Sequence, residues 1–205
     1  MPTYDGYIFD FDGTLLDTER LGVDAALAAL ARFGAHPSWE WCAAEPLVSM
    51  ARLRTRLATD FGIRLDCSDD ELTTTAVGYW LDHRDEIRPT PVVAIAVELA
   101  AAGARLAVAS ANYAELVRAG LEIAGIATLF GTVVTREHVR AVKPAPEAYL
   151  LAAARLDVAP GRCLAYENSA AGIDAAIGAG MTVVDVRREN RSLATDFTFR
   201  NVTVR

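Results

Sequence analysis

Cysteine is scarce in this chain, and what there is makes no pattern. Cys42, Cys67 and Cys163 are the only three in 205 residues. They are odd in number and outside any C-x-x-C spacing, which excludes a disulfide framework and a zinc site of the usual spacing. Reduced, mostly buried thiols are expected. Also missing is any run of Lys or Arg to offset the formal net charge of −7. Binding to a nucleic-acid backbone needs clustered cations, so no nucleic-acid partner is expected. An acidic chain can still hold a small phosphate where cations are placed locally. No segment approaches about 18 consecutive apolar residues without a charge. Asp5 and Asp10 stand where a secretory peptide needs a basic start and an unbroken apolar stretch. The expectations are no membrane association and a cytoplasmic location. Repeats and low-complexity segments are lacking, and oligomeric state leaves no readable trace.

What is present is a soluble globular balance, with 52% hydrophobic and 23% charged residues. A chain of this length buries roughly 70% of its unfolded surface as one domain, or as one domain carrying a smaller insertion. Short apolar runs read as buried strands at Tyr7-Ile8-Phe9, 105–110 (RLAVAS), 132–135 (TVVT), 163–167 (CLAYE) and 182–186 (TVVDV). Between them lie Ala/Leu-rich stretches of helical length at 91–102, 113–124, 146–156 and 170–179. Strands alternating with helices of this size predict an α/β core, a doubly wound parallel sheet covered on both faces.

Residues 15–88 break that rhythm. They read as wholly helical, over 18–33, 39–61 and 68–87. So long a stretch without a strand is no ordinary crossover. The expected organisation is a core of 1–14 and 89–205 with an inserted all-helical cap at 15–88. Pro89 and Pro91 mark the return, since each biases the residue before it away from helix.

The chemistry gathers at the strand ends. Asp10-Phe11-Asp12-Gly13-Thr14 follows the first strand directly. Residues two apart in extended chain point to one side, so both carboxylates face one spot at the carboxyl end of a parallel strand, where ligands bind in open α/β sheets. Carboxylates this close repel unless a cation or a proton intervenes. Ser110, Ala111 and Asn112 close the next long strand and bring a hydroxyl, backbone N–H groups and an amide to a helix start, a suitable place for phosphate oxygens. Asn112 read alone is also a plausible N-cap. Lys143, in a loop before a helix, is placed to neutralise a nucleophile and a transferring phosphoryl group. Glu167-Asn168-Ser169 delivers a carboxylate and an amide oxygen to the same sheet edge.

In order and spacing, DFDGTLLDT, VASAN, KPAPEAYL and YENSAAGIDAAIGAGM resemble the four motifs of the haloacid dehalogenase superfamily, within its β-phosphoglucomutase and phosphatase subgroup. The resemblance implies a Rossmann-like core with a helical cap, and a magnesium-dependent phosphatase acting on a small phosphorylated metabolite. It implies catalytic roles for Asp10 as nucleophile, Asp12 as acid and base, and Lys143. It further implies substrate contacts from Ser110, Ala111, Asn112 and Thr18. The Mg²⁺ ligands it implies are Asp10, the Asp12 carbonyl and a third from Glu167 or Asn168, because Asn168 stands where relatives usually have aspartate. Dehalogenases of the superfamily lack the second aspartate, which favours a phosphate ester. Sugar-phosphate mutases carry a histidine where this chain has Gly22, and a glycine in the loop corresponding to 47–53, where Val48 stands instead. Both departures favour hydrolysis over transfer to a sugar. In the cap, Trp39, Trp41, Arg52, Arg54 and His83 are candidates for leaving-group contact, although a solvated helix face or cap core is the simpler reading of each.

Overall fold

The computed structural model describes residues 4–45 and 49–189. Leu47 and Val48, on which the mutase comparison partly turned, lie outside the described residues. The chain divides into two compact units, Met1–Asp17 with Arg88–Arg205, and Thr18–Ile87. Among the described residues no helix is long and apolar enough to cross a membrane.

The strands in chain order are β1 (Gly6–Phe9), β2 (Leu16–Asp17), β3 (Arg88–Pro89), β4 (Arg105–Ala109), β5 (Thr132–Val134), β6 (Cys163–Glu167) and β7 (Thr182–Asp185). Five of them form a parallel sheet in the order β5-β4-β1-β6-β7, the α/β core expected from the alternating pattern. Helices α1 (Glu19–Arg32), α2 (Trp39–Ala43), α3 (Met50–Phe61) and α4 (Asp69–Asp82) belong to the second unit. The first unit carries α5 (Val92–Ala101), α6 (Ala114–Ile123), α7 (Glu147–Leu156), α8 (Ala170–Gly178) and α9 (Val186–Glu189).

The sheet forms because its strands are apolar on both sides. Every residue of β6 is buried, as are Leu106 to Ala109 of β4. Ile8, Ala107, Ala109, Val134 and Ala165 share one cluster with Tyr149, Ala152 and Ala153 of α7 and Ala175 and Ala176 of α8. Small residues at these positions bring both helices close to the sheet. On the opposite pleat, Phe9 stacks on Tyr166 with ring centroids 4.7 Å apart and meets Phe130 edge-on.

Register carries the sheet into the site. Phe9 pairs with Val108 on one side and Tyr166 on the other, so the next residue, Asp10, is level with Ala109 and Glu167. The Asp10 N–H donates to the Tyr166 carbonyl at 3.0 Å.

Two short strands were not evident from the sequence. β2 and β3 pair antiparallel, Leu16 with Pro89 and Asp17 with Arg88, where the chain leaves the first unit and returns to it. Two residues each, one of them proline, give no alternating pattern to read.

The second unit is helical among its described residues, with a core of Val23, Ala26, Ala29, Leu30, Cys42, Leu53, Leu57 and Leu72. The expected single stretch at 39–61 is two helices, α2 and α3. α4 begins with a reciprocal cap: the Glu71 N–H donates to Ser68 Oγ at 3.1 Å, and the Ser68 N–H donates to Glu71 Oε2 at 2.8 Å. Hydrogen bonds from Ser68 hold the Glu71 carboxyl below its usual range. Ser68→Ala is expected to lower stability by about 1 kcal/mol, read as an earlier denaturation midpoint. An unchanged midpoint would show that the cap contributes nothing.

Candidate active site

Asp10 is the first residue past β1 and is buried. Behind it the chain turns sharply: Gly13 adopts φ 74°, its N–H donates to the Leu16 carbonyl at 2.7 Å, and the Leu15 and Leu16 N–H groups both donate to the Phe11 carbonyl at 3.1 Å. A side chain at position 13 would be strained in this left-handed turn. Phe11 is fully buried under Gly120 of α6, where an added Cβ would come within 2.6 Å of its ring. The turn and this anchor direct the two aspartates away from the core.

Lys143 reaches Asp10 from the loop before α7. Its Nζ donates to Asp10 Oδ1 and to Glu167 Oε1, each at 2.5 Å, with all three side chains buried. Glu167 is fully engaged. Oε1 also accepts from Tyr149 Oη at 3.0 Å, and Oε2 accepts from the Ser169 N–H at 2.9 Å and from Ser169 Oγ at 3.0 Å. Its carboxylate thus works as a buried counter-ion for Lys143 and as a cap at the start of α8.

Charge is unbalanced here. Burial pushes the Asp10 carboxyl well above its usual range, the Glu167 charge pushes the same way, Lys143 opposes them and Asp12 adds to the rise. Burial works against the Lys143 ammonium, but Asp10 and Glu167 outweigh it and keep the lysine charged. Tyr149 is held far up by burial and by Glu167 and Asp10, so it remains a neutral donor. Among the described residues Lys143 bridges two carboxyls, Asp10 and Glu167, with the Asp12 charge acting on Asp10 as well, an arrangement that suits a further positive charge.

Asn112 does not sit as expected. α6 starts at Ala114 with Tyr113 as its N-cap residue, and the Ala114 N–H is taken by Glu137 Oε1 at 2.9 Å. Asn112 Oδ1 accepts the Tyr113 N–H at 2.8 Å, while Nδ2 donates to both carboxylate oxygens of Asp12 at 3.2 Å. Ser110, 1% exposed, accepts the Asn112 N–H on its Oγ at 3.0 Å, which leaves the hydroxyl proton to donate elsewhere. Ala111 lies between them in the same loop.

Asn168 lies one residue past β6, and its Oδ1 accepts from Thr14 Oγ1 at 3.3 Å. Among the described residues no three His, Cys, Asp or Glu side chains gather as a metal-binding group. A cation here would be held by few carboxylates and by neutral oxygens, a donor set that suits a hard ion such as Mg²⁺.

Thr18 belongs to the second unit, buried as the N-cap residue of α1, and its carbonyl accepts the Gly22 N–H at 2.9 Å. It is not among the residues the sheet assembles. The other candidates of that unit have partners within it. Trp39 Nε1 donates to Asp24, Trp41 Nε1 to Asp60, Arg54 to the Cys67 carbonyl and Asp69, and Arg52 pairs with Glu45. His83 stacks on Tyr79 and bonds its carbonyl.

Sequence reasoning missed Tyr149, the two bonds from Ser169 to Glu167, and Gly172. A Cβ at Gly172 would lie 1.7 Å from Glu167 Oε1. The only available signal was a glycine three residues after a capping serine.

A hydrolase site at the carboxyl edge of a parallel sheet is the class this arrangement defines, and residues 7–186 match the haloacid dehalogenase-like hydrolases. The chain belongs to that family. It is similar to fructose-1-phosphate phosphatase YqaB of Escherichia coli (strain K12), 32% identical over 197 residues, covering 90% of this chain and 97% of the relative. It is also similar to protein CbbY of Cereibacter sphaeroides, 31% identical, covering 86% and 81%. Among solved structures, CbbY from Rhodobacter sphaeroides in complex with xylulose-(1,5)bisphosphate superposes with a TM-score of 0.80 at 27% identity, over 88% of this chain and 85% of that one. β-Phosphoglucomutase from Clostridium difficile shares the fold, with a TM-score of 0.74 at 23% identity over 88% and 83%.

Proposed function

We propose that this hydrolase releases phosphate from a small phosphomonoester, a sugar phosphate or similar metabolite, through a phosphorylated Asp10. The observation that carries the reading is the buried bridge from Lys143 to Asp10 and Glu167, set beside an Asp12 turned to Asn112.

Asp10 attacks phosphorus as the bond to the leaving oxygen breaks, and Asp12 gives its proton to that oxygen, so the alcohol departs neutral. Asp12, now a carboxylate, takes a proton from water. The water oxygen bonds phosphorus, the bond to Asp10 breaks, and inorganic phosphate leaves with both aspartates restored. Lys143 holds Asp10 in place and balances charge on the transferring group. The Ser110 hydroxyl and the Ala111 N–H are assigned to phosphate oxygens. Asp10, the Asp12 carbonyl and the Asn168 amide oxygen are the residues that would hold Mg²⁺, since Glu167 has no oxygen to spare. When bound, the ion supplies charge neutralisation at the phosphoryl group. The name of the Escherichia coli relative supports a sugar phosphate as substrate. Gly22, with open space around its missing side chain, supports discharge to water over transfer to a sugar.

The test is phosphate release across a panel of sugar and polyol phosphates, with magnesium and with excess chelator. Chelation is expected to reduce release by roughly 10²-fold or more, and added magnesium to restore it. Turnover indifferent to chelator would remove the metal from the mechanism. No release from any panel member, despite measurable binding, would make the protein a phosphate-ligand binder instead.

A further inference from the structure

Every polar group of Asn112 is engaged. Its N–H donates to Ser110 Oγ, its carbonyl accepts the Arg136 N–H at 3.2 Å, its Oδ1 accepts the Tyr113 N–H and its Nδ2 faces both oxygens of Asp12. The partners fix which way the amide points. With the amide flipped, oxygen would face the Asp12 carboxylate and NH₂ would face a backbone donor, two repulsions in place of two bonds.

We propose that Asn112 is the positioning residue of Asp12, holding its carboxylate in one orientation. The assignment rests on the reading of Asp12 as acid and base. Asp12 is half-buried and joined to Leu16 by an isolated β-bridge, a backbone constraint that leaves its side-chain rotamer to be chosen by contacts such as the one from Asn112. Proton transfer requires the acid within hydrogen-bond reach of the leaving oxygen, so selecting one rotamer in advance removes an ordering step from the reaction. Asn112 can do this because it is itself immobilised by backbone bonds on both sides, from the loop after β4 and from the residues after β5.

The experiment uses the dependence on leaving group. A sugar alkoxide is a poor leaving group and needs a proton from Asp12, whereas p-nitrophenolate leaves without one. kcat/KM, which reports the phosphorylation step, is measured for the best sugar phosphate of the panel and for p-nitrophenyl phosphate in wild type, Asn112→Ala, Asn112→Asp and Asp12→Asn. Asn112→Asp keeps the volume and the acceptor for the Tyr113 N–H, removes the donor and sets a second carboxylate against Asp12. Its added charge acts on the phosphate of both substrates alike, and beside Asp12 it favours the protonated acid, so a fall in the ratio reports lost positioning and not lost protonation. In both Asn112 variants the ratio of sugar to aryl kcat/KM is expected to fall by about tenfold or more. Equal losses on both substrates, or no loss, would overturn the proposal. If Asn112→Ala fails to fold, Asn112→Asp decides. A ratio that falls in Asp12→Asn but stays at the wild-type value in the Asn112 variants sinks only the assignment of Asn112. A ratio unmoved in Asp12→Asn sinks the acid and base reading itself.

Discussion

Asp10→Asn is expected to stop phosphate release, by roughly 10⁴-fold or more, while leaving the protein folded. Asparagine has nearly the same shape, and its amide oxygen can still accept from Lys143, but its oxygen is no nucleophile. Because burial and the Glu167 charge both disfavour ionised Asp10, neutralising it relieves the site. With magnesium chelated, the unfolded chain ionises this carboxyl near 3.8 whereas the folded chain ionises it only at higher pH. The folded state therefore binds the proton more tightly, and wild type loses stability as pH rises through that interval. The variant lacks this loss, so its denaturation midpoint at neutral pH should equal or exceed that of wild type. Trapping of a phosphorylated protein, present in wild type and absent in the variant, measures the chemistry directly. Turnover near the wild-type rate in Asp10→Asn would overturn the assignment of the nucleophile.

Gly172→Ala should damage the same site from behind. The added Cβ would stand 1.7 Å from Oε1, 2.0 Å from Cδ and 2.3 Å from Oε2 of Glu167. That carboxylate is tied by four hydrogen bonds, to Lys143, Tyr149 and Ser169, so it cannot move aside cheaply. A loss of about 3 kcal/mol is expected, together with lower activity as Lys143 loses its counter-ion. The sign is diagnostic. Inside a helix, alanine in place of glycine ordinarily stabilises by about 0.5–1 kcal/mol, and Gly78 of α4, with nothing within 4 Å of a built Cβ, provides the control. A denaturation midpoint at or above wild type for Gly172→Ala would show that Glu167 is held loosely.

The core was legible because its strands are buried on both faces. Continuous apolar runs bounded by helical periodicity placed β4, β6 and β7 within a residue of their ends. Asp10, Asp12, Ser110 and Glu167 stood out for the same reason, as polar residues at the ends of such runs, and Lys143 as a cation in the loop before a helix. What the sequence could not show is which polar groups meet. Asn112 stood out as a phosphate donor because it follows a strand, and its contact with Asp12, over 100 residues of chain, is one no local pattern announces. Tyr149 reads as one more core residue of α7, since a phenol bonding a buried carboxylate has the same periodicity as a phenylalanine. The break between α2 and α3 is hidden in the sequence by the helix propensity of the residues on either side.

The position of β1 has a consequence for how the enzyme is made. β1 precedes the other four strands of the sheet in chain order and is its middle strand, flanked by β4 and β6. Asp10, just past it, meets its buried partners only when Lys143 and Glu167 arrive, 133 and 157 residues later in the chain. Until then a nascent chain carries a central strand with both edges open and a carboxylate with no buried partner. The buried bridge of Asp10, Lys143 and Glu167 therefore forms late, with the closing of the sheet around β1.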